Sequence, residues 1–281
     1  MKLDKDKRIK PVLKWVGGKA AIADCVLDAF PKSYGTYYEP FLGGGAIALS
    51  LHRTKRKVLG DINQDLINFY QVLKDKPDLL IEQLIKGENH FNEPSVDNQS
   101  YFSKVRGIDR LDNWRSHYTE IDQAARIIFL NRTCFNGLWR VNSRGENNSP
   151  YGYPDYLKFD IDNLKKVSFF LRHNVEISLG SYQDTCSTAT KGDLVYLDPP
   201  YDVIESKKAI AYDSIPFCQL KLKDYVDDLS RRGCYVVLSN AATPLILELY
   251  KDYHIKPINA RRSIAANGDR TLAKEVIVTN F

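Results

Sequence analysis

Two short β-strand signals on either side of a run of glycines constrain this chain more than any other feature in it. Tyr37-Tyr38-Glu39-Pro40 reads as a strand, Phe41-Leu42-Gly43-Gly44-Gly45 as a loop, and Ala46-Ile47-Ala48-Leu49-Ser50-Leu51 as the opening of a helix. Lys57-Val58-Leu59-Gly60 reads as a second strand ending at Asp61, and Asp65 as the cap of a helix that runs to about Lys74. A strand, a glycine loop, a helix and a second strand ending in an acid make the first unit of a doubly wound sheet. In such a sheet ligands bind outside the carboxyl ends of the strands, so the chemistry is to be sought there.

The α/β pattern breaks off and then returns. Residues 78–130 are polar and helical without a clear strand, and 121–130 form the best helix among them. Residues 131–156 are rich in Asn, Gly and Arg. A loop of that length inside a compact domain is functional or disordered, and its aromatics and lack of low complexity argue against disorder. Asp160 then caps a helix to about Arg172, strands follow at 175–178, 194–197 and 234–239, and helices at 220–231 and near Leu245. Segments 254–258 and 275–279 read as a closing hairpin around the Asn267-Gly268-Asp269 turn. The expected architecture is an α/β catalytic domain, residues 1–75 plus 159–281, split by a mainly helical insertion at 76–158. A chain of 281 residues accommodates one large domain with such an insertion.

Three strand ends carry candidate chemistry. Gly43-Gly44-Gly45 lets a backbone approach a ligand at a helix N-terminus. The run matches neither GxGxxG nor the phosphate-cradling GxxxxGK[ST] loop, and a tight strand-to-helix turn would use the same residues. Asp61, about twenty residues further on, suits hydrogen bonds from ribose hydroxyls. Together they point to a nucleoside-containing cofactor held without the usual phosphate fingerprints. The third end is Asp198-Pro199-Pro200-Tyr201, where the apolar run Leu194-Val195-Tyr196-Leu197 stops. The two prolines fix φ and remove two backbone donors, so the local backbone offers carbonyl acceptors. Asp198 adds a carboxylate and Tyr201 a flat aromatic face. Acceptors beside a stacking ring suit a planar ligand that donates from an exocyclic amine, such as purine N6. A rigid turn after a buried strand is the structural alternative.

The net charge of +5 and pI near 8.8 are compatible with a polyanionic partner. Arg106, Arg110, Arg115, Arg126, Arg132, Arg140 and Arg144 lie among aromatics, asparagines and glycines. That mixture suits phosphate contact and base stacking, and equally a salt-bridged surface. The five cysteines are scattered, with no CxxC and no Cys/His cluster, which points to reduced core thiols in a cytoplasmic protein and no metal site. No apolar run approaches the ~18 residues of a membrane span, and the charged N-terminal stretch lacks the apolar core of a secretory signal.

Five motifs, in order, resemble those of the Dam-type (α-group, D12 class) site-specific DNA adenine-N6 methyltransferases. They are Lys14-Trp15-Val16-Gly17-Gly18-Lys19, Glu39-Pro40-Phe41-Leu42-Gly43-Gly44-Gly45, Gly60-Asp61-Ile62-Asn63-Gln64-Asp65, the segment from Asn131 to Asn142 with Pro150-Tyr151-Gly152, and Asp198-Pro199-Pro200-Tyr201. The resemblance implies a Rossmann-like S-adenosylmethionine-dependent methyltransferase sheet with an inserted DNA-recognition domain. It implies cofactor contacts from Trp15, Lys19, Glu39, Pro40, Phe41, Gly43, Asp61 and Asp198, with Tyr182 lining the adenine pocket. It implies that Asp198, Pro199, Pro200 and Tyr201 hold a flipped adenine for direct in-line methyl transfer. On double-stranded DNA it implies that Lys14 and Arg140 read guanines, and that Leu138 and Pro150 touch the central base pairs. Phe135 and Asn136 would fill the displaced-base space, with Arg132 and Asn142 in the same recognition segment. Arginine bidentate to guanine O6 and N7 is the commonest specific major-groove contact.

The expected site is GATC. The family segment reads GEFNVP, whereas this chain has Gly145-Glu146-Asn147-Asn148-Ser149-Pro150, and that departure bears on the site rather than on the chemistry. The competing readings are a different DNA site, cytosine N4 or an RNA adenine as acceptor, and a catalytically silent DNA-binding regulator. The intact Asp198-Pro199-Pro200-Tyr201 speaks against the last. Cytosine C5 chemistry needs a cysteine nucleophile, and no cysteine here directly follows a proline or sits at a strand end near the pocket. A nicotinamide-dependent dehydrogenase would need GxGxxG and a proton-transfer histidine. Oligomeric state and biological role, whether restriction-modification, replication and repair or phage protection, are left open by the sequence.

Overall fold

The computed structural model describes residues 9–52, 54–202, 217–261 and 272–281, with side chains at 259–261 and 272–274 left undescribed. In chain order come α1 (Ala23–Asp28), β1 (Tyr37–Glu39), β2 (Lys57–Asp61), α2 (Gln64–Asp75), α3 (Pro77–Phe91), α4 (Asn98–Gly107), α5 (Trp114–His117) and α6 (Glu120–Thr133). Then follow α7 (Ile161–Leu171), β3 (Val175–Leu179), α8 (Tyr182–Thr185), β4 (Leu194–Leu197), α9 (Gln219–Arg231), β5 (Tyr235–Ala241), α10 (Pro244–Leu249), β6 (His254–Arg261) and β7 (Leu272–Thr279).

The strands form one sheet in the order β3-β2-β1-β4-β5-β7-β6. The first five are mutually parallel, and β7 lies antiparallel between β5 and β6. Strand order reverses between β1 and β4, which opens a crevice above their carboxyl ends. β4 is buried along its whole length, which explains why its sequence is an unbroken apolar run rather than an alternation. Alternate β4 residues still serve opposite faces: Leu194 and Tyr196 join one apolar cluster, Val195 and Leu197 the other. The first cluster continues into the 76–158 segment through Leu80, Phe91, Phe102, Ile127 and Trp139. The second is roofed by Leu222, Val226 and Leu229 of α9 and by Ile246 and Tyr250.

Some local expectations are corrected. Residues 46–51 do not open an α-helix. They make only a 3₁₀ turn at Ala48–Ser50, because the left-handed Gly45 enters it (φ 70°) and Ser50 and Leu51 bond back three residues rather than four. Asp65 does not cap α2. Asn63 does, accepting from Leu66 N at 3.0 Å, while Asp65 pairs with Arg115 Nη1 at 2.6 Å. Cys134, Cys186 and Cys234 are buried, but Cys25 and Cys218 are exposed rather than core thiols. The β6–β7 pairing runs from His254↔Thr279 to Arg261↔Leu272, and the expected turn at 267–269 lies outside the described residues. Among the described residues, no helix is long and apolar enough to cross a membrane.

Candidate functional site

The crevice is walled on the β1–β2 side by the glycine loop. Gly43 (φ 48°) and Gly45 (φ 70°) take backbone conformations that side chains disfavour, and a Cβ on Gly43 would sit 2.9 Å from Trp15 Cδ1. The indole of Trp15 therefore covers the loop. Gly43 N donates to Asp61 Oδ2 at 3.0 Å, Asn63 N donates to Asp61 Oδ1 at 3.0 Å, and Tyr70 OH donates to Gly43 O at 3.0 Å. Asp61 thus ties the end of β2 to the glycine loop, with burial pushing its carboxyl above the ordinary range. Glu39 at the end of β1 is 3% exposed and accepts from Tyr37 OH at 2.7 Å. Burial pushes its carboxyl up to about 8, against the opposing effect of the Tyr37 hydrogen bond. On the other side of the loop, Phe41 stacks on Tyr182 with centroids 5.6 Å apart, and Phe217 and Tyr225 close the aromatic group around Tyr182 at 6.2 and 5.2 Å.

Beyond β4 the chain turns through Asp198-Pro199-Pro200-Tyr201. Lys19 Nζ lies 2.8 Å from Asp198 Oδ1 and 4.6 Å from the centre of the Tyr201 ring. Ser239 Oγ donates to the same Oδ1 at 2.7 Å. Burial raises the Asp198 carboxyl, while the Lys19 charge and the Lys19 and Ser239 hydrogen bonds pull it down. Tyr201 OH donates to Glu275 Oε2 at 3.0 Å on β7, and burial raises its phenol further above its ordinary value. The Pro200 carbonyl accepts from Gln219 Nε2 at 2.8 Å, Asp202 N donates to Asn240 Oδ1 at 3.1 Å, and Thr243 Oγ1 donates to Asp202 Oδ2 at 2.6 Å. The loop is therefore pinned from β5, α9 and the N-cap of α10.

The segment expected to recognise DNA is a small hairpin. Phe135 N donates to Pro150 O, Asn148 N to Arg140 O and Asn142 N to Glu146 O, each at 2.9 Å. Its base is clamped by the buried Asn131, whose Oδ1 accepts from Lys14 N at 2.9 Å and whose Nδ2 donates to Lys14 O at 2.7 Å and Gly137 O at 2.9 Å. Trp15 stacks on Trp139 with centroids 6.3 Å apart, so the hairpin and the glycine loop meet through one indole pair. Lys14, Phe135, Asn136, Arg140 and Pro150 are exposed, with Asn136 left-handed (φ 57°) in the 3₁₀ turn Phe135–Gly137 near the base of the hairpin and Leu138 half-buried. Arg140 Nε is held by Asn148 Oδ1 at 2.8 Å.

Asn142 and Arg132, also expected to contact DNA, and the arginines left between phosphate contact and a salt-bridged surface, make bonds within the protein. Asn142 turns into its own bend, donating to Glu146 Oε2 at 2.7 Å and accepting from Arg144 N and Glu146 N. Arg132 turns to Lys158 O at 3.3 Å. Arg126 is 5% exposed and pairs with Asp109 at 2.8 Å. Asp109 also accepts from Asn147 N at 2.7 Å and pairs with Arg110 at 2.8 Å. Arg106 donates to Ser149 O at 2.9 Å. The arginine-rich stretch is thus in part an internal brace that holds the hairpin against α4 and α6.

The crevice brings together Trp15, Lys19, Glu39, Asp61, Asp198 and Tyr201 from segments far apart in the chain. Sequence reasoning did not find Phe217, Gln219, Ser239 or Asn240. The available signal was a polar pair, Ser239-Asn240, ending the buried strand run Val236-Val237-Leu238, the same signature that marked Asp198 after β4.

The chain is similar in sequence to known proteins. The family profile described as D12 class N6 adenine-specific DNA methyltransferase matches residues 15–264. The chain is 37% identical over 287 residues to the Type II methyltransferase M1.LlaDCHI of Lactococcus lactis subsp. cremoris, covering 99% of this chain and 98% of that protein. It is 35% identical over 290 residues to the Type II methyltransferase M.MjaIII of Methanocaldococcus jannaschii, covering 97% and 99%. It is 30% identical over 279 residues to a DNA adenine methylase of Haemophilus influenzae, covering 97% and 93%.

Proposed function

Since this chain belongs to the D12 class N6 adenine-specific DNA methyltransferase family and is an S-adenosylmethionine-dependent DNA adenine-N6 methyltransferase, we propose that it acts on GATC in duplex DNA and rotates the target adenine into the crevice at Asp198. Residues 1–75 plus 159–281 carry the transfer, and residues 76–158 read the DNA. The observation that carries this reading is the arrangement at Asp198. Lys19 Nζ at 2.8 Å and Ser239 Oγ at 2.7 Å both address Oδ1, with the Tyr201 ring alongside.

The residues present fit the cofactor. A glycine cradle that a Cβ would fill lies beside the aromatic faces of Phe41, Tyr182 and Phe217. Trp15, Lys19, Asp61 and Asp198 complete the set that would hold it. When bound, S-adenosylmethionine supplies an electrophilic sulfonium methyl.

The remaining roles belong to side chains of this protein. Asp198 Oδ2 and the Pro199 carbonyl accept hydrogen bonds from the two N6–H groups, which draws the nitrogen lone pair out of conjugation and aims it, and one N6 proton is released once the methyl is bound. The Pro200 carbonyl is already engaged by Gln219, so its role is to shape the turn. Tyr201 stacks on the extruded base, and the Lys19 charge favours the ionised form of Asp198. Extrusion costs a few kcal/mol, and Phe135 with Asn136 occupies the space left in the helix. Lys14 and Arg140 read guanines, and Leu138 and Pro150 meet the central pairs.

The polar residues that depart from the family segment support GATC rather than a new site. Asn147 and Ser149 are fully buried, where Asn147 Oδ1 accepts from Ser149 N at 3.1 Å and Ser149 Oγ donates to Leu138 O at 2.7 Å. They brace the hairpin and leave its exposed residues in place.

The test follows methyl transfer from labelled S-adenosylmethionine to two duplexes that differ only in GATC against GTTC. Label recovered as N6-methyladenine from the first alone is expected. Equal labelling of both overturns the site. Full turnover by Asp198→Ala overturns the catalytic assignment.

A further inference from the structure

β4 and β5 pair in parallel with Leu197 opposite Leu238, so Asp198 and Ser239 emerge side by side at the carboxyl end of the sheet. Ser239 is fully buried and donates to Asp198 Oδ1 at 2.7 Å. Tyr196, also fully buried, has its hydroxyl 3.0 Å from Ser239 Oγ. A serine hydroxyl carries one proton, and an ionised carboxylate only accepts. With the Ser239 proton spent on Asp198, the Tyr196 hydroxyl must donate to Ser239 Oγ. The three groups form a directed chain, Tyr196 to Ser239 to Asp198, that ends on the one carboxylate oxygen that Lys19 also holds.

We propose that Ser239 is a positioning residue for methyl transfer: with Tyr196 behind it, it fixes the rotamer of Asp198 so that Oδ2 faces the adenine amine. Lys19 alone would not do this. Its ammonium is a point charge with three rotatable donors on a flexible stem, so it holds either oxygen equally well. Ser239 is a short side chain on an interior strand and selects one. The inference rests on the reading of Asp198 as the amine acceptor.

The same bond bears on protonation. The charged and titratable groups around Asp198 are Lys19, Glu39, Tyr196, Tyr201 and, behind Tyr201, Glu275. Of these only Lys19 favours the ionised carboxylate, and the Ser239 hydrogen bond favours it too. Loss of the hydroxyl leaves burial less opposed and raises the pH at which Asp198 takes up a proton. A protonated Asp198 is a poorer acceptor, so the acid limb of the transfer rate reports the bond.

The experiment measures single-turnover methyl transfer to unmethylated plasmid DNA from pH 5.5 to 9, for wild type, Ser239→Ala, Ser239→Thr and Tyr196→Phe, with thermal melting as the folding control. Ser239→Ala is expected to lower the plateau rate by about 10- to 100-fold, the range for one hydrogen bond to a charged group. Its acid limb is expected to move to higher pH. Ser239→Thr, which keeps the hydroxyl, restores both, and Tyr196→Phe shifts both in the same direction by less. A wild-type rate and acid limb in Ser239→Ala overturn the inference, and so does a rate loss with an unmoved acid limb, which is what mere loosening of the strand would give. Asp198→Ala separates the two levels: if it is inactive while Ser239→Ala is normal, only the positioning role fails, and if it is active, the reading of Asp198 fails first.

Discussion

Replacing Lys19 by methionine isolates the electrostatic core of the site. The lysine is 7% exposed, and its ammonium lies 2.8 Å from Asp198 Oδ1. At an effective dielectric of about 20, a pair at that distance is worth roughly 6 kcal/mol. Removal of the charge cannot cost that much at neutral pH, because Asp198 can take up a proton instead. Bringing a carboxyl with an ordinary value near 3.9 to its neutral form at pH 7 costs roughly 4 kcal/mol, at about 1.4 kcal/mol per pH unit. Asp198 also keeps its bond from Ser239 and is 16% exposed, so water screens part of the loss. The expected destabilisation at pH 7 is about 3 kcal/mol, within the range for breaking a buried pair.

In the variant Asp198 is a buried carboxyl whose folded-state pKa lies above its unfolded value. Folding then takes up a proton, and stability falls as pH rises above the unfolded pKa, until the folded pKa is passed. Urea denaturation of wild type and Lys19→Met at pH 5.5, 7 and 8.5 is expected to show the gap widening with pH, by at most about 1.4 kcal/mol per unit. Asp198→Asn in the Lys19→Met background is expected to recover most of the loss at pH 8.5. A gap that is constant across this range, or absent at pH 8.5, refutes the reasoning.

Other perturbations follow from the same geometry. Glu39, held at about 8, is protonated in the folded state at neutral pH, so it contributes a fall in stability between pH ~4.5 and 8. Glu39→Gln is expected to flatten that part of the stability profile and to be the more stable protein at pH 9, and parallel profiles would refute this. A Cβ on Gly60 would meet Thr185 Oγ1 at 2.2 Å and Cγ2 at 2.7 Å. Gly60→Ala is expected to cost about 1–3 kcal/mol, read as a lower Tm by several degrees, with partial recovery in the double variant with Thr185→Ala. Asp109→Ala leaves the buried Arg126 unpaired and releases Asn147 N. DNA affinity by fluorescence anisotropy is expected to drop while calorimetric S-adenosylmethionine binding holds, and an equal loss of both would refute the hairpin-brace role. Arg140→Lys keeps the charge but loses the bidentate fork, and is expected to lower discrimination at one guanine by about 1–3 kcal/mol in competitive methylation of substituted duplexes.

The strands of the parallel sheet were legible because each is a local signal. A buried strand such as 194–197 is an apolar run whatever lies beside it, and the acid that ends it marks the side of the sheet where ligands bind. Asp61 and Asp198 were found this way. The supposed helix at 46–51 misled because its composition is helical while its entry is set by left-handed glycines and by Leu42 N bonding to Gly60 O at 2.9 Å on the next strand. The arginines of the insertion were ambiguous for a related reason. Arg126 and Arg140 look alike in sequence, and only the placement of Asp109 makes one an internal brace and leaves the other exposed.

By itself the sequence determined the order of elements, the polar residues that end the strands and the residue types that gather there, because periodicity, proline and glycine act over a few neighbours. The tertiary structure alone decided which oxygen of Asp198 Lys19 and Ser239 address, that Gln219 engages the Pro200 carbonyl, and that Ser239, Gln219 and Asn240 stand behind them. Those facts depend on parallel register between β4 and β5, two strands separated by more than thirty residues. Parallel neighbours are joined by long crossovers, so no local pattern records which side chains they set face to face.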